Sequence, residues 1–313
     1  MKQRILASAL ALALLATPAL AAEGDLFPAV GSMPAFADVS PAGPGAGEAW
    51  YDYESVNVCV EAGLMKGTGE GFQPGGGLTI AELAGVPVNI VHLSTLRGLE
   101  VIRTARARGQ KLYVETCPQY LMLDDSVYHL PGFESAKYVF APPARSPENK
   151  EALWQAVADG AVDTIGTDHC SFSTATKALG REDFSKIPNG MPGVEDRVRL
   201  LYTYGVAAGR ISLSRMTELL SSNPAKLFGM YPQKGALAVG SDGDIVIYDP
   251  NSTGSIQASA NHSACDYDPY EGTPVTGRVD TVLLNGEPAV RDGALLLEGR
   301  GRFIPRGPAQ FWR

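Results

Sequence analysis

Between residues 86 and 167 the chain alternates short apolar runs with amphipathic stretches, and this alternation restricts its fold more than any other feature. Val86 to Leu93 is nearly all apolar, as a strand buried on both faces should be. Thr95 to Arg108 reads as a helix stopped by Gly109, and Lys111 to Cys117 as a strand. Lys150 to Asp159 reads as a helix ending at Gly160, followed by a strand over Val162 to Thr167. Strand–helix–strand order implies a parallel sheet, which gathers functional groups at the C-terminal ends of its strands. His92, Glu115 and Asp168 all fall at or near such ends.

Beyond this core, Arg197 to Ala207 and Ser214 to Ser221 read as helices. From Gly235 the character changes. A turn at Gly240 to Asp244 leads into a strand over Ile245 to Tyr248, and Val279 to Leu284 and Glu287 to Val290 form a hairpin about Asn285-Gly286. A small β region is thus appended to the α/β part.

The N-terminal stretch reads differently. Lys2 and Arg4, the apolar run Ile5 to Ala16 and the small-x-small site Ala19-Leu20-Ala21 make residues 1–22 a secretory signal, the run being too short to span a bilayer comfortably. Residues 23–35 continue as a Pro-, Gly- and Ala-rich linker. In residues 36–83 an amphipathic helix, about Ser55 to Ala62, is stopped by Gly63, and a glycine-rich turn closes with Phe72 and Pro74. The four cysteines (Cys59, Cys117, Cys170 and Cys265) lie far apart and read as isolated thiols. A net charge of −8 argues against a nucleic-acid partner, because phosphate binding needs a basic surface.

The order of landmarks from Phe36-Ala37-Asp38-Val39 through Trp50-Tyr51, Gly63-Leu64-Met65 and Phe72 to Leu78-Thr79 resembles an S-layer homology module, which implies a cell-wall polysaccharide partner. Two departures stand out: Pro41 to Glu48 looks inserted, and Ile80 replaces the family's usual basic residue. A solvated leader that binds nothing is the competing reading.

From about Ile80 to Arg306 the chain resembles the dihydropyrimidinase and D-hydantoinase family of the amidohydrolases. The resemblance rests on Val91-His92-Leu93-Ser94, Glu115-Thr116-Cys117-Pro118-Gln119-Tyr120-Leu121, Thr167-Asp168-His169-Cys170, Ile187-Pro188-Asn189-Gly190-Met191-Pro192-Gly193, Asn223-Pro224-Ala225-Lys226 and Asp266-Tyr267-Asp268-Pro269-Tyr270. It implies a (β/α)8 barrel in which two zinc ions and a bridging hydroxide open a small cyclic amide or ureide, and a homo-oligomer. It implies that His92 and Asp168 are metal ligands, that Asp168 is also the catalytic proton shuttle, and that Ala141 and Asn189 bind substrate through backbone groups. Ala141 stands where the family usually has serine, and Ser171 where it usually has proline. His169, adjacent to Asp168, reads as packing, and Glu115 and Cys117 as shaping the pocket.

The fold expected is therefore α/β: the last strands of an amidohydrolase barrel over 84–232, a C-terminal β region and tail over 233–306, and a small helical N-terminal module. Only three barrel strands are legible, no histidine precedes His92, and no H-x-H pair occurs. Two of the family's six ligands are kept, whereas a catalytic zinc takes three protein ligands and a water. The expectation is a chain that is incomplete as a hydantoinase on its own. The alternatives are an exported envelope protein carrying an inert enzyme remnant, and a non-functional fusion. The two resemblances meet near Ala81-Glu82-Leu83, a seam that a deletion or join would leave. The export signal conflicts with a typically cytoplasmic family, and localisation is expected to follow the signal, to the cell envelope.

Overall fold

The computed structural model describes residues 87–313. The signal, the linker, the 36–83 module and the seam lie outside the described residues. Residues 89–313 form one compact unit.

Strand β1 (Val88–Ile90) is followed by helix α1 (Leu96–Ala107), strand β2 (Leu112–Thr116) and helix α2 (Pro118–Met122). Thr95 caps α1 by accepting a hydrogen bond from the Gly98 N–H. The helix buries Leu99, Ile102 and Ala105, spaced three apart on one face. Helix α3 (Pro147–Ala158) starts earlier than the sequence suggests, with Pro147 in its first turn. It buries Leu153, Trp154, Ala156 and Val157. Strand β3 (Thr164–Ile165) completes a three-stranded sheet of order β1-β2-β3, in which β2 and β3 run parallel.

β2 is the central strand, and Leu112, Tyr113 and Val114 are buried as expected. β1 is shorter and less buried than an all-apolar run implies, and Val91 is 42% exposed. The reason is position: β1 is a sheet edge among the described residues, so its apolar side chains lack a neighbour strand on one side.

At the foot of the sheet, buried Asp163 accepts hydrogen bonds from Val114 N (2.9 Å), Arg106 Nη2 (2.5 Å) and Arg313 Nε (2.9 Å). Phe311 and Trp312 pack on Tyr113. The C-terminus is therefore fastened beneath β2 and β3.

Helix α4 (Thr174–Lys177) is one turn long. Helix α5 (Arg197–Leu201) passes into a π-helical stretch over Tyr202–Ala207. Here the Thr203 hydroxyl reaches Arg199 O (2.7 Å) and accepts from Thr276 N (2.9 Å), so a side chain enters the helical ladder and docks it on the β region. Helix α6 (Leu213–Thr217) likewise widens over Glu218–Ser222 before α7 (Asn223–Leu227). The sequence shows neither widening; the first depends on a contact between Thr203 and the distant Thr276. Asn223 Nδ2 donates to Asp163 O (2.9 Å), holding α7 against the foot of β3.

The last third forms an antiparallel sheet of order β4-β5-β6-β7: β4 (Ile245–Ser255), β5 (Pro274–Leu284), β6 (Glu287–Arg291) and β7 (Ala294–Leu295). The β5–β6 turn is the Asn-Gly turn read from sequence, with positive φ at Asn285 (52°) and Gly286 (86°).

Candidate functional site

The chemistry-bearing residues stand where β1, β2 and β3 end. His92 follows β1 and Asp168 follows β3, both in the left-handed region at φ 44° and 51°. A non-glycine residue pays for that conformation, and such strain concentrates at functional sites. The strand ends are laced together: Leu93 N donates to Glu115 O (2.8 Å), Thr116 Oγ1 to Leu93 O (2.7 Å) and Gly166 N to Thr116 O (3.0 Å).

Glu115 lies between the two. Its carboxylate crosses Gly166, where an added Cβ would stand 2.6 Å from Glu115 Cδ, so glycine is what leaves it room. Burial pushes its carboxyl up, Asp168 adds to the rise, and Thr164, Arg197 and His92 oppose it. Arg197 Nη1 is anchored on Ile165 O (3.0 Å). Cys117 is fully buried, and burial pushes its thiol far up, which leaves it inert. His92 is half-buried and Asp168 exposed.

His169 turns away from Asp168. Its Nδ1 accepts from Gly193 N and Val194 N (3.2 Å each), fixing the loop that follows Asn189. Asn189 and Ala141 are both exposed, on two segments joined by Gly190 N donating to Val139 O (3.0 Å). Gly190 is obligatory: at φ 153° an added Cβ would lie 2.3 Å from Cys170 O. Behind these segments lies Lys177, which the sequence did not single out. The carbonyls that hold it are 11 to 38 residues away and carry no side-chain signature.

Among the described residues no group of three or more His, Cys, Asp or Glu side chains comes together to hold a metal ion. His92 and Asp168 do not by themselves fit a dinuclear zinc centre, since even one catalytic zinc takes three protein ligands.

A mixed α/β unit with its ionisable groups at the ends of neighbouring strands defines the class. Comparison with known proteins gives the family. Residues 80–289 match the Amidohydrolase family, so the chain belongs to that family. Residues 45–84 match the S-layer homology domain. The chain is 46% identical over 239 residues to a D-hydantoinase of Geobacillus stearothermophilus, covering 76% of this chain and 51% of the relative. It is 47% identical over 234 residues to a D-phenylhydantoinase of Escherichia coli O1:K1 / APEC, covering 74% and 50%. The crystal structure of dihydropyrimidinase from Brevibacillus agri NCHU1002 superposes with a TM-score of 0.72 at 44% identity, over 75% of this chain and 51% of that one. The L-hydantoinase of Arthrobacter aurescens gives a TM-score of 0.66 at 35% identity, over 79% and 52%. The chain spans about half the length of the curated relatives it matches.

Proposed function

We propose that residues 84–232 are the last strands of an amidohydrolase barrel and carry half of a cyclic-amide hydrolase site of the dihydropyrimidinase and hydantoinase type. Hydrolysis then requires metal donors from outside the described residues. The observation that carries this reading is the pair of left-handed residues, His92 and Asp168, flanking Glu115 at the ends of adjoining strands. By the family resemblance, both stand at positions that would ligate metal, in a family that is typically metal-dependent.

The chain's own residues divide the work. The exposed Asp168 carboxylate is free to carry a proton to the ring nitrogen that leaves. The backbone groups at Asn189 and Ala141 hold the ring of a small cyclic amide or ureide. Arg197 and Glu115 set the field across the strand ends.

The test is hydrolysis of hydantoin and 5,6-dihydrouracil by the purified chain. The chain alone should give no turnover. Adding a polypeptide with the other half of a hydantoinase barrel should restore it, and Asp168→Ala should abolish what is restored. Turnover by the chain alone, or restored turnover that survives Asp168→Ala, would end this reading.

The match over 45–84 favours a second role, attachment at the cell surface through wall polysaccharide, which agrees with residues 1–22 acting as an export signal. Sedimentation with purified cell wall should depend on residues 45–84, and a chain that stays in solution with or without them contradicts the attachment.

A further inference from the structure

We propose that Lys177 is a positioning residue that ties the Ala141 and Asn189 segments into a single substrate-facing wall. The inference rests on the reading above that these two segments face the ring.

Lys177 is 1% exposed, among the most enclosed side chains of the described residues. An ammonium carries three donors, and all three are used on backbone carbonyls: Val139 O at 2.8 Å, Pro188 O at 2.7 Å and Gly190 O at 2.7 Å. Pro188 and Gly190 flank Asn189 on either side, and Val139 lies two residues before Ala141. One cation therefore sets the orientation of the peptide groups around both expected substrate contacts.

Among the described residues no carboxylate pairs with it. Cys170 and Cys265 are the titratable groups facing it, and the Phe172 ring lies 5.7 Å from Nζ. Burial pushes the ammonium down to about 8, so the three carbonyl dipoles offset the cost of burying this charge in part. The direct Gly190 N to Val139 O bond closes the same junction from the other side. A space-filling role needs no ammonium, because methionine, one heavy atom shorter, fills a similar volume without a donor. The geometry instead uses every donor on a segment that touches the ring, so the charge serves the loops.

The experiment uses the full chain. Amide hydrogen exchange is followed in peptides covering 138–141 and 186–191, with 112–117 as the internal reference, and 5,6-dihydrouracil binding is followed by ligand-observed NMR. Lys177→Met should raise exchange at least tenfold in both loop peptides, leave the reference unchanged and weaken dihydrouracil binding at least tenfold. In the wild-type chain, a slowly exchanging Lys177 Nζ–H signal in nitrogen-15 spectra should report the three carbonyl bonds, a signature that mere space-filling does not give. That second readout decides the matter if Lys177→Met fails to fold. Unchanged loop exchange in a folded Lys177→Met chain, or a wild-type ammonium in fast exchange with water, overturns the proposal. Loops released by Lys177→Met in a chain whose wild type binds no dihydrouracil would uphold the tie and count against the cyclic-ureide reading alone.

Discussion

His92 and Asp168 adopt the same left-handed backbone conformation, at φ 44° and 51°, two and three residues past the ends of β1 and β3. Aspartate and histidine enter this region more often than most non-glycine residues, though still at a cost relative to glycine, and each flanks the half-buried Glu115. At most positions glycine is less stable than alanine, because it loses more freedom on folding. At these two the order should reverse. His92→Gly and Asp168→Gly should be more stable than the matching alanine variants by about 1 kcal/mol, since only glycine takes positive φ without strain. Urea midpoints check this, and an alanine variant equal to or above its glycine counterpart would show that the backbone is not held there.

Asp163 should be the most sensitive position at the foot of the sheet. It is 1% exposed and joins Arg106, Arg313 and the Val114 N–H. Asp163→Ala leaves the Arg106 and Arg313 guanidinium groups without their shared carboxylate, holding only backbone carbonyls. The expected loss is about 3–5 kcal/mol, as for other buried ion pairs broken on one side. A loss below about 1 kcal/mol in denaturant unfolding would contradict the arrangement.

Stability should also depend on the buried Asp196–Asp268 pair. Burial, together with the neighbouring Asp268 carboxyl, pushes Asp196 up to about 7, from an ordinary value of 3.8. Arg199 partly opposes the rise and Glu195 adds to it, while Asn261 and the Tyr270 N–H hold Asp268. A carboxyl with a raised folded pKa contributes stability that is fully present below about 3.8 and is lost as pH rises through about 7. Asp196→Asn keeps a donor toward Asp268 without titrating. Wild type should therefore lose stability relative to Asp196→Asn between about pH 4 and about pH 8. Parallel pH profiles for the two proteins would show that no proton is shared.

Gly190→Ala should disrupt the Asn189 loop rather than the sheet. The new methyl would meet Cys170 O at 2.3 Å, and the φ of 153° is one that alanine rarely adopts. The cost should exceed about 2 kcal/mol, with hydrogen exchange rising in 186–191 before 112–117. Equal exchange in the two peptides would place the damage elsewhere.

What the sequence made legible follows from what each feature depends on. β2, α1 and the Asn285-Gly286 hairpin could be read because apolar runs, a glycine stop at Gly109 and an Asn-Gly turn are local signals. The strand-end positions of His92, Glu115 and Asp168 followed from the same alternation. The helical widening at Tyr202–Ala207 could not be read, since Thr203 acts through Thr276, far along the chain. Lys177 and the room that Gly166 gives Glu115 were hidden for the same reason, being contacts to backbone atoms or neighbouring strands. The half-buried β1 departed from expectation because an apolar run specifies a strand but not which of its edges is covered.

Zinc stoichiometry of the purified, monodisperse chain lacking residues 1–22, measured together with hydantoin hydrolysis, tests the central claim most directly. His92 and Asp168 fall short of the three protein ligands of a catalytic zinc, so the chain alone should retain no stoichiometric zinc after dialysis and show no turnover. About two zinc ions per chain with turnover lost in His92→Ala would contradict the account, showing that a complete dinuclear centre forms without any added partner.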